Sequence, residues 1–185
     1  FINQPYRQSL EFKVERDVEF LTDFAKDSRF LDVVPSPDRL GYRSIFKLAV
    51  RPEPRKRAGR FRIALYQPGS HEIGPGMQLC PLHVPPLERL LFHLKDELEE
   101  SPLQPYDEKK KTGDVKYLIA RSNYRGDVIL VIVTSRNVEA EARDLLKSLH
   151  LRGSSIEAAF MSIQTESSNA IFGREMVPLT TIRTL

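Results

Sequence analysis

The sequence predicts an α+β fold: an antiparallel sheet with helices packed on one face, plus a basic β-hairpin and an N-terminal helix. Three observations carry this expectation. Leu87, Leu90, Leu91, Leu94 and Leu98, and later Val138, Ala142, Leu145, Leu146 and Leu149, recur every three or four positions, the period of helices lying on a core. Elsewhere the apolar period is two, or continuous as in Val128 to Val133, which is the pattern of strands buried on one or both faces. The order is hairpin, helix, strand, strand, helix, strand, and a sheet with helices on one face accounts for it best.

Residues 6–26 read as a helix, with Leu10, Val14, Val18, Leu21 and Ala25 on one side. Pro35-Ser36-Pro37-Asp38 breaks the chain. In 42–50, Tyr42, Phe46, Leu48 and Val50 face one way, and Arg43, Lys47 and Arg51 mostly the other. In 60–67, Phe61, Ile63 and Leu65 alternate with Arg60, Arg62 and Ala64, so the two segments form an antiparallel hairpin with a long basic tip. Pro85 and Pro86 suit the first turn of the next helix, where the missing N–H is not needed. Residues 101–113 are polar and turn-rich. Strands follow at 115–122 and 127–134, joined by Asn123 to Gly126. Asn137 can cap the second leucine-rich helix and Gly153 can end it. Strands are expected at 155–164 and, shorter, at 169–173 and 176–181. The domain organisation expected is an N-terminal helix and linker, 1–40, and a central α+β domain, 41–185.

At 185 residues with ordinary hydrophobic and charged fractions, the chain can bury a core without staples. Cys80 is the one cysteine, which excludes an internal disulfide and fits a reducing, cytoplasmic setting. No apolar run reaches membrane-spanning length. The sequence opens on Phe1 without a signal peptide and ends at Leu185 without tail character, so the expectation is a piece of a longer protein.

A net charge of +3 does not by itself point to nucleic acid, but the distribution is uneven. Between Arg51 and Arg62 six basic residues meet a single acid, Glu53, and Lys109-Lys110-Lys111 makes a second, smaller cluster. Arginines and lysines on an extended hairpin can reach phosphates, and an exposed ring among Tyr42, Phe46 and Phe61 could stack on a base. The plainer alternative is a solvated charged loop with buried aromatics. Cys80-Pro81-Leu82-His83 offers two zinc-ligand types without a second pair, and reads as a packed thiol beside a surface histidine. Gly74-Pro75-Gly76 lacks the strand and third glycine of a phosphate loop, and nothing resembles a nucleophile elbow.

Several ordered segments together resemble the RNA (uracil-5-)-methyltransferases that modify ribosomal and transfer RNA. They are Tyr6, Leu10 and Lys13 opening a helix, then Pro35-Ser36-Pro37 followed by Gly41-Tyr42-Arg43, with Phe46 and Leu48 continuing the strand. Gly69-Ser70-His71 comes next, then Leu79-Cys80-Pro81 before a leucine-rich helix, and Asn169-Ala170-Ile171-Phe172-Gly173 near the end. The resemblance implies a central, non-catalytic region that helps position rRNA or tRNA. It implies that the S-adenosylmethionine domain and an N-terminal RNA-binding barrel lie outside this chain, which then holds no catalytic or cofactor-binding residue and is inactive alone. In relatives with a four-iron four-sulfur cluster, the fourth cysteine matches Cys80, and the other three would precede Phe1. Cys80 is thus expected to ligate iron only in the parent protein. The RNA-binding residues expected are Arg43, Arg55, Lys56, Arg57 and Arg60; Ile45 stands where many members have a second arginine. A cytoplasmic monomer without membrane contact is expected. The alternatives are a structural spacer and an independent RNA-binding domain without methylation.

Overall fold

In the computed structural model, which describes residues 4–22, 33–55, 59–70, 72–77, 79–166 and 170–180, the chain divides at Arg39 into two units, Phe1–Arg39 and Leu40–Leu185. The first is built on helix α1 (Tyr6–Leu21). The Tyr6 hydroxyl accepts the Ser36 N–H at 2.7 Å, and the Arg39 guanidinium lies 5.0 Å from the Tyr6 ring centre. One aromatic residue thereby pins the returning segment to the start of the helix. The apolar stripe read from the sequence is not buried: Val14 and Leu21 are exposed, and Leu10 and Val18 are half-buried. Ala25 lies outside the described residues.

The second unit is a six-stranded sheet with two helices on one face. Its elements are β1 (Ile45–Pro52), β2 (Phe61–Ala64), α2 (Pro85–Glu100), β3 (Val115–Ser122), β4 (Val128–Thr134), α3 (Glu139–Leu151), β5 (Ile156–Ile163) and β6 (Glu175–Pro178). The strand order is β2-β1-β3-β4-β5-β6. Every neighbouring pair is antiparallel except β4 and β5, which are parallel. That pair departs from the antiparallel sheet expected because α3 intervenes: a helix packed along the sheet returns the chain to the end where β4 began.

The period-two residues meet the helical stripes. Phe46, Leu48 and Val50 of β1, Leu118 and Ala120 of β3, and Leu130 and Ile132 of β4 are buried in one cluster with the five leucines of α2 and with Ala142, Leu145, Leu146 and Leu149 of α3. Each fully buried leucine contributes roughly 2 kcal/mol of transfer free energy. Gly153, at φ 79, closes α3: its N–H bonds His150 O at 2.9 Å and the Ser154 N–H bonds Leu149 O at 3.1 Å, the two bonds of a Schellman end. Asn137 acts one position earlier than a cap, with Oδ1 accepting the Glu139 N–H at 3.0 Å while Val138 occupies the cap.

Several boundaries differ from the sequence reading. β1 begins at Ile45, because Arg43 pairs its backbone with 82–84 ahead of α2. β2 ends at Ala64, beyond which Tyr66 bridges Ile73. Of the strand expected at 169–173, residues 170–173 form none and bend at 171 and 172, and residue 169 lies outside the described residues. Gly173 packs so tightly on the Ile163 backbone that a Cβ has no room, and its N–H donates to Ser162 Oγ at 3.0 Å.

Candidate nucleic-acid interface

Two arginines of the basic segment, Arg51 and Arg60, spend their charge inside the fold. Arg51 points to the sheet face that carries no helix, yet it is buried. Its guanidinium donates to Val50 O at 2.8 Å, Lys116 O at 3.1 Å and the Tyr66 hydroxyl at 2.5 Å, and is ion-paired with Glu108. The rings of Tyr66 and Tyr117 lie 5.8 and 5.4 Å from it. Burial and the Tyr117 hydroxyl raise the Tyr66 phenol above its ordinary range, so it stays a neutral partner.

Arg60 closes the end of α2. It donates to the carbonyls of Leu98, Glu99, Ser101 and Leu103 at 2.9, 2.5, 2.8 and 3.2 Å. The Glu99 carboxylate in turn accepts the N–H groups of Arg60 and Phe61 at 2.7 and 2.8 Å. A cation at a helix C-terminus satisfies orphan carbonyls and complements the dipole. Arg62 is half-buried, with its Nε unpartnered among the described residues. Arg55 is exposed, 4.0 Å from Glu53. Lys56 and Arg57 lie outside the described residues. Phe46 and Phe61 are buried in the core and present no stacking face; Tyr42 is exposed.

Arg43 sits at a corner between β1 and α2. Its N–H bonds Leu82 O at 2.7 Å and its carbonyl accepts from Val84 at 3.0 Å, while Gly41 N–H bonds Pro81 O at 2.9 Å. This ladder fixes the turn 80–83, closed by His83 N–H to Cys80 O at 2.9 Å. The guanidinium of Arg43 has no ion-pair partner among the described residues. The expectation of a packed thiol beside a surface histidine is reversed: Cys80 is half-exposed and His83 is 3% exposed, its ring 5.7 Å from that of Phe46. Nδ1 of His83 has no hydrogen-bond partner among the described residues. Burial, followed by the charge of Arg43, lowers the His83 pKa from its ordinary value of 6.5, so the ring is held neutral. Among the described residues no group of three or more His, Cys, Asp or Glu could hold a metal ion.

The buried network of Arg51 was not legible beforehand. Alternation places Arg51 on the open face, but its burial comes from Tyr66 and Glu108, which the loops around them bring in from distant sequence. No helix among the described residues is long and apolar enough to cross a membrane.

No protein-family model matches the chain. A protein of Streptococcus mutans named as an uncharacterized RNA methyltransferase is 26% identical over 173 residues, 92% of this chain and 37% of that protein. A protein of Synechocystis with a similar name is 30% identical over 150 residues, 78% of this chain and 31% of its own length. Among solved structures, the tRNA (uracil-54, C5)-methyltransferase of Pyrococcus abyssi, in complex with S-adenosyl-L-homocysteine, superposes with a TM-score of 0.68 at 20% identity. That match covers 93% of this chain and 38% of the archaeal one, so the chain spans well under half the length of these relatives. By sequence the chain is similar to part of the length of proteins named as RNA methyltransferases, and it shares its fold with part of the archaeal enzyme.

Proposed function

We propose that this chain is the central, non-catalytic region of an S-adenosylmethionine-dependent RNA (uracil-5-)-methyltransferase, helping position ribosomal or transfer RNA. The observation that carries the reading is the alignment of 92% of the chain with a protein named as an RNA methyltransferase, together with its superposition on a uracil-54 C5 enzyme. Methylation at C5 of uracil calls for a thiolate that adds at C6 and a base that removes the C5 proton. The single thiol here, Cys80, sits in a turn before α2 beside a buried neutral histidine, with no base paired to it among the described residues. The reacting groups and the methyl donor therefore belong to the rest of the parent. Cys80 fits, at most, one of the four thiolate positions of an iron–sulfur cluster completed by that remainder.

Within the chain, Arg43 and Arg55, with Lys56 and Arg57 of the tip, are the RNA contacts. Arg60 acts indirectly, by anchoring the tip to the end of α2. The parent acts in the cytoplasm, and the chain is monomeric. The test is a binding titration with single-stranded RNA at several salt concentrations. Reversing the charge at Arg55, Lys56 and Arg57 is expected to weaken salt-dependent binding, and unchanged affinity would remove the tip as a contact. A purely structural spacer is the second reading, favoured by how much of the tip's charge is consumed internally; it requires no RNA affinity at low salt. Calorimetry with S-adenosylmethionine is expected to give no specific heat with this chain alone.

A further inference from the structure

The lysine cluster 109–111 is held in a way that the tip is not. Asp107 opens the turn: its Oδ1 accepts the N–H groups of Lys109 and Lys110 at 2.9 and 3.1 Å, its N–H bonds Thr112 O at 2.7 Å, and its carbonyl accepts from Lys111 at 2.8 Å. The N–H of Lys110, foremost among these, holds the Asp107 carboxyl below the usual carboxylate range. Lys111 stands at φ 56, in the left-handed region that L side chains rarely adopt. Gly113 follows at φ 103, and a Cβ there would run into the Pro105 carbonyl. The turn is specified at both ends, and it directs three like charges outward. Only Lys110 is ion-paired among the described residues, 3.8 Å from Asp107.

Behind the turn lies Lys116, a buried ammonium that donates to Gln164 O at 2.8 Å and to Gln164 Oε1, 4.7 Å from the Tyr106 ring centre. Burial first, then the charges of Lys111 and Arg51, lower its pKa from the ordinary lysine value. Lys111 and Lys116 line a cleft of about 460 Å³ together with Glu108, Thr165 and Glu166. Both acids of that cleft already have partners, Glu108 in Arg51 and Glu166 in Arg174 at 3.1 Å. Lys109 lines a second cleft, of about 490 Å³, which shares Glu108 with the first. Like charges are thus gathered on a rigid, locally strained turn at the mouth of a cleft whose carboxylates are spoken for. Such a surface suits the backbone of a single strand, which a positively charged groove can track.

We propose that the turn 107–113 and the cleft lined by Lys111 and Lys116 hold consecutive phosphates of a single RNA strand, a second contact separate from the tip; this rests on RNA being the partner proposed above. The test is fluorescence anisotropy of the 185-residue chain with a labelled single-stranded oligouridylate across a chloride series. K109Q/K110Q/K111Q is compared with R55Q/K56Q/R57Q, with near-UV circular dichroism to check the fold. Losing three cations is expected to weaken binding about tenfold or more at low salt, and to reduce the log–log salt slope by about 2. K111G, which relieves the left-handed lysine while keeping the turn, is expected to reduce that slope by about 0.7. If the wild-type chain binds no RNA at low salt, this inference and the function proposed above both fail. If it binds, and the lysine variants match it while the tip variant is weakened, this inference alone fails.

Discussion

The two basic segments, 51–62 and 107–113, look alike in sequence and differ in where their charges end up. In the first, Arg51 is buried under two tyrosines and Arg60 is committed to the carbonyls that end α2, so arginine serves as internal scaffolding. In the second, the scaffolding is backbone and one aspartate, and the lysine heads are left outside. The difference follows from side-chain chemistry. A planar guanidinium with five donors can satisfy several acceptors when buried, whereas a compact, strongly hydrated ammonium is best left in water. Lys116 is the exception, and the amide of Gln164 accompanies it into the fold.

The contrast can be broken at definite points. Arg51→Ala is expected to have the largest effect, about 3 kcal/mol lost in urea unfolding, because it leaves Glu108 and the Tyr66 hydroxyl without their partner. Arg60→Ala follows at about 2 kcal/mol, since four carbonyls at the end of α2 lose their donor; a midpoint unchanged from wild type would show that the cap is dispensable. Gly113→Ala is expected to cost about 1–2 kcal/mol and to loosen the lysine turn, read as faster amide exchange at Lys110 and Lys111. Arg55→Ala should change stability by no more than about 0.5 kcal/mol, because its charge is exposed and its carboxylate neighbour distant.

A pH titration sharpens the comparison at the corner that Arg43 shares with α2. The folded pKa of His83 is lowered, so the folded state binds fewer protons than the unfolded chain near pH 6. Stability from this residue is therefore complete above the unfolded value of 6.5, and is lost as pH falls from there toward the folded pKa. The slope it contributes has a ceiling of about 1.4 kcal/mol per pH unit. His83→Phe should flatten the dependence of the urea midpoint on pH between 7 and 5.5; a persistent slope would assign the effect to another group.

Much of the scaffold was written in the periodicity. The five leucines of α2, the alternation of Phe46, Leu48 and Val50, and the run through β4 each stated their element without help, because the spacing of side chains along a helix or strand is a local property. The stripe on α1 was equally regular and yet stays unburied, since a pattern specifies a face and not what covers it. Of the candidate site, the sequence supplied the charges: six bases in twelve residues, three adjacent lysines, and a cysteine three residues before a histidine.

What became of those charges was a tertiary matter. Arg60 meets carbonyls about forty residues away, Arg51 meets Glu108 of the loop that precedes β3, and Cys80 and His83 exchange their expected exposures because β1 packs Phe46 against the imidazole. Sequence by itself determined the elements and their inward faces, as these depend on neighbours a few residues apart. Only the folded chain decided which cations are structural and which remain free for a partner, because desolvation and pairing are set by groups that the topology, not the spacing, brings together.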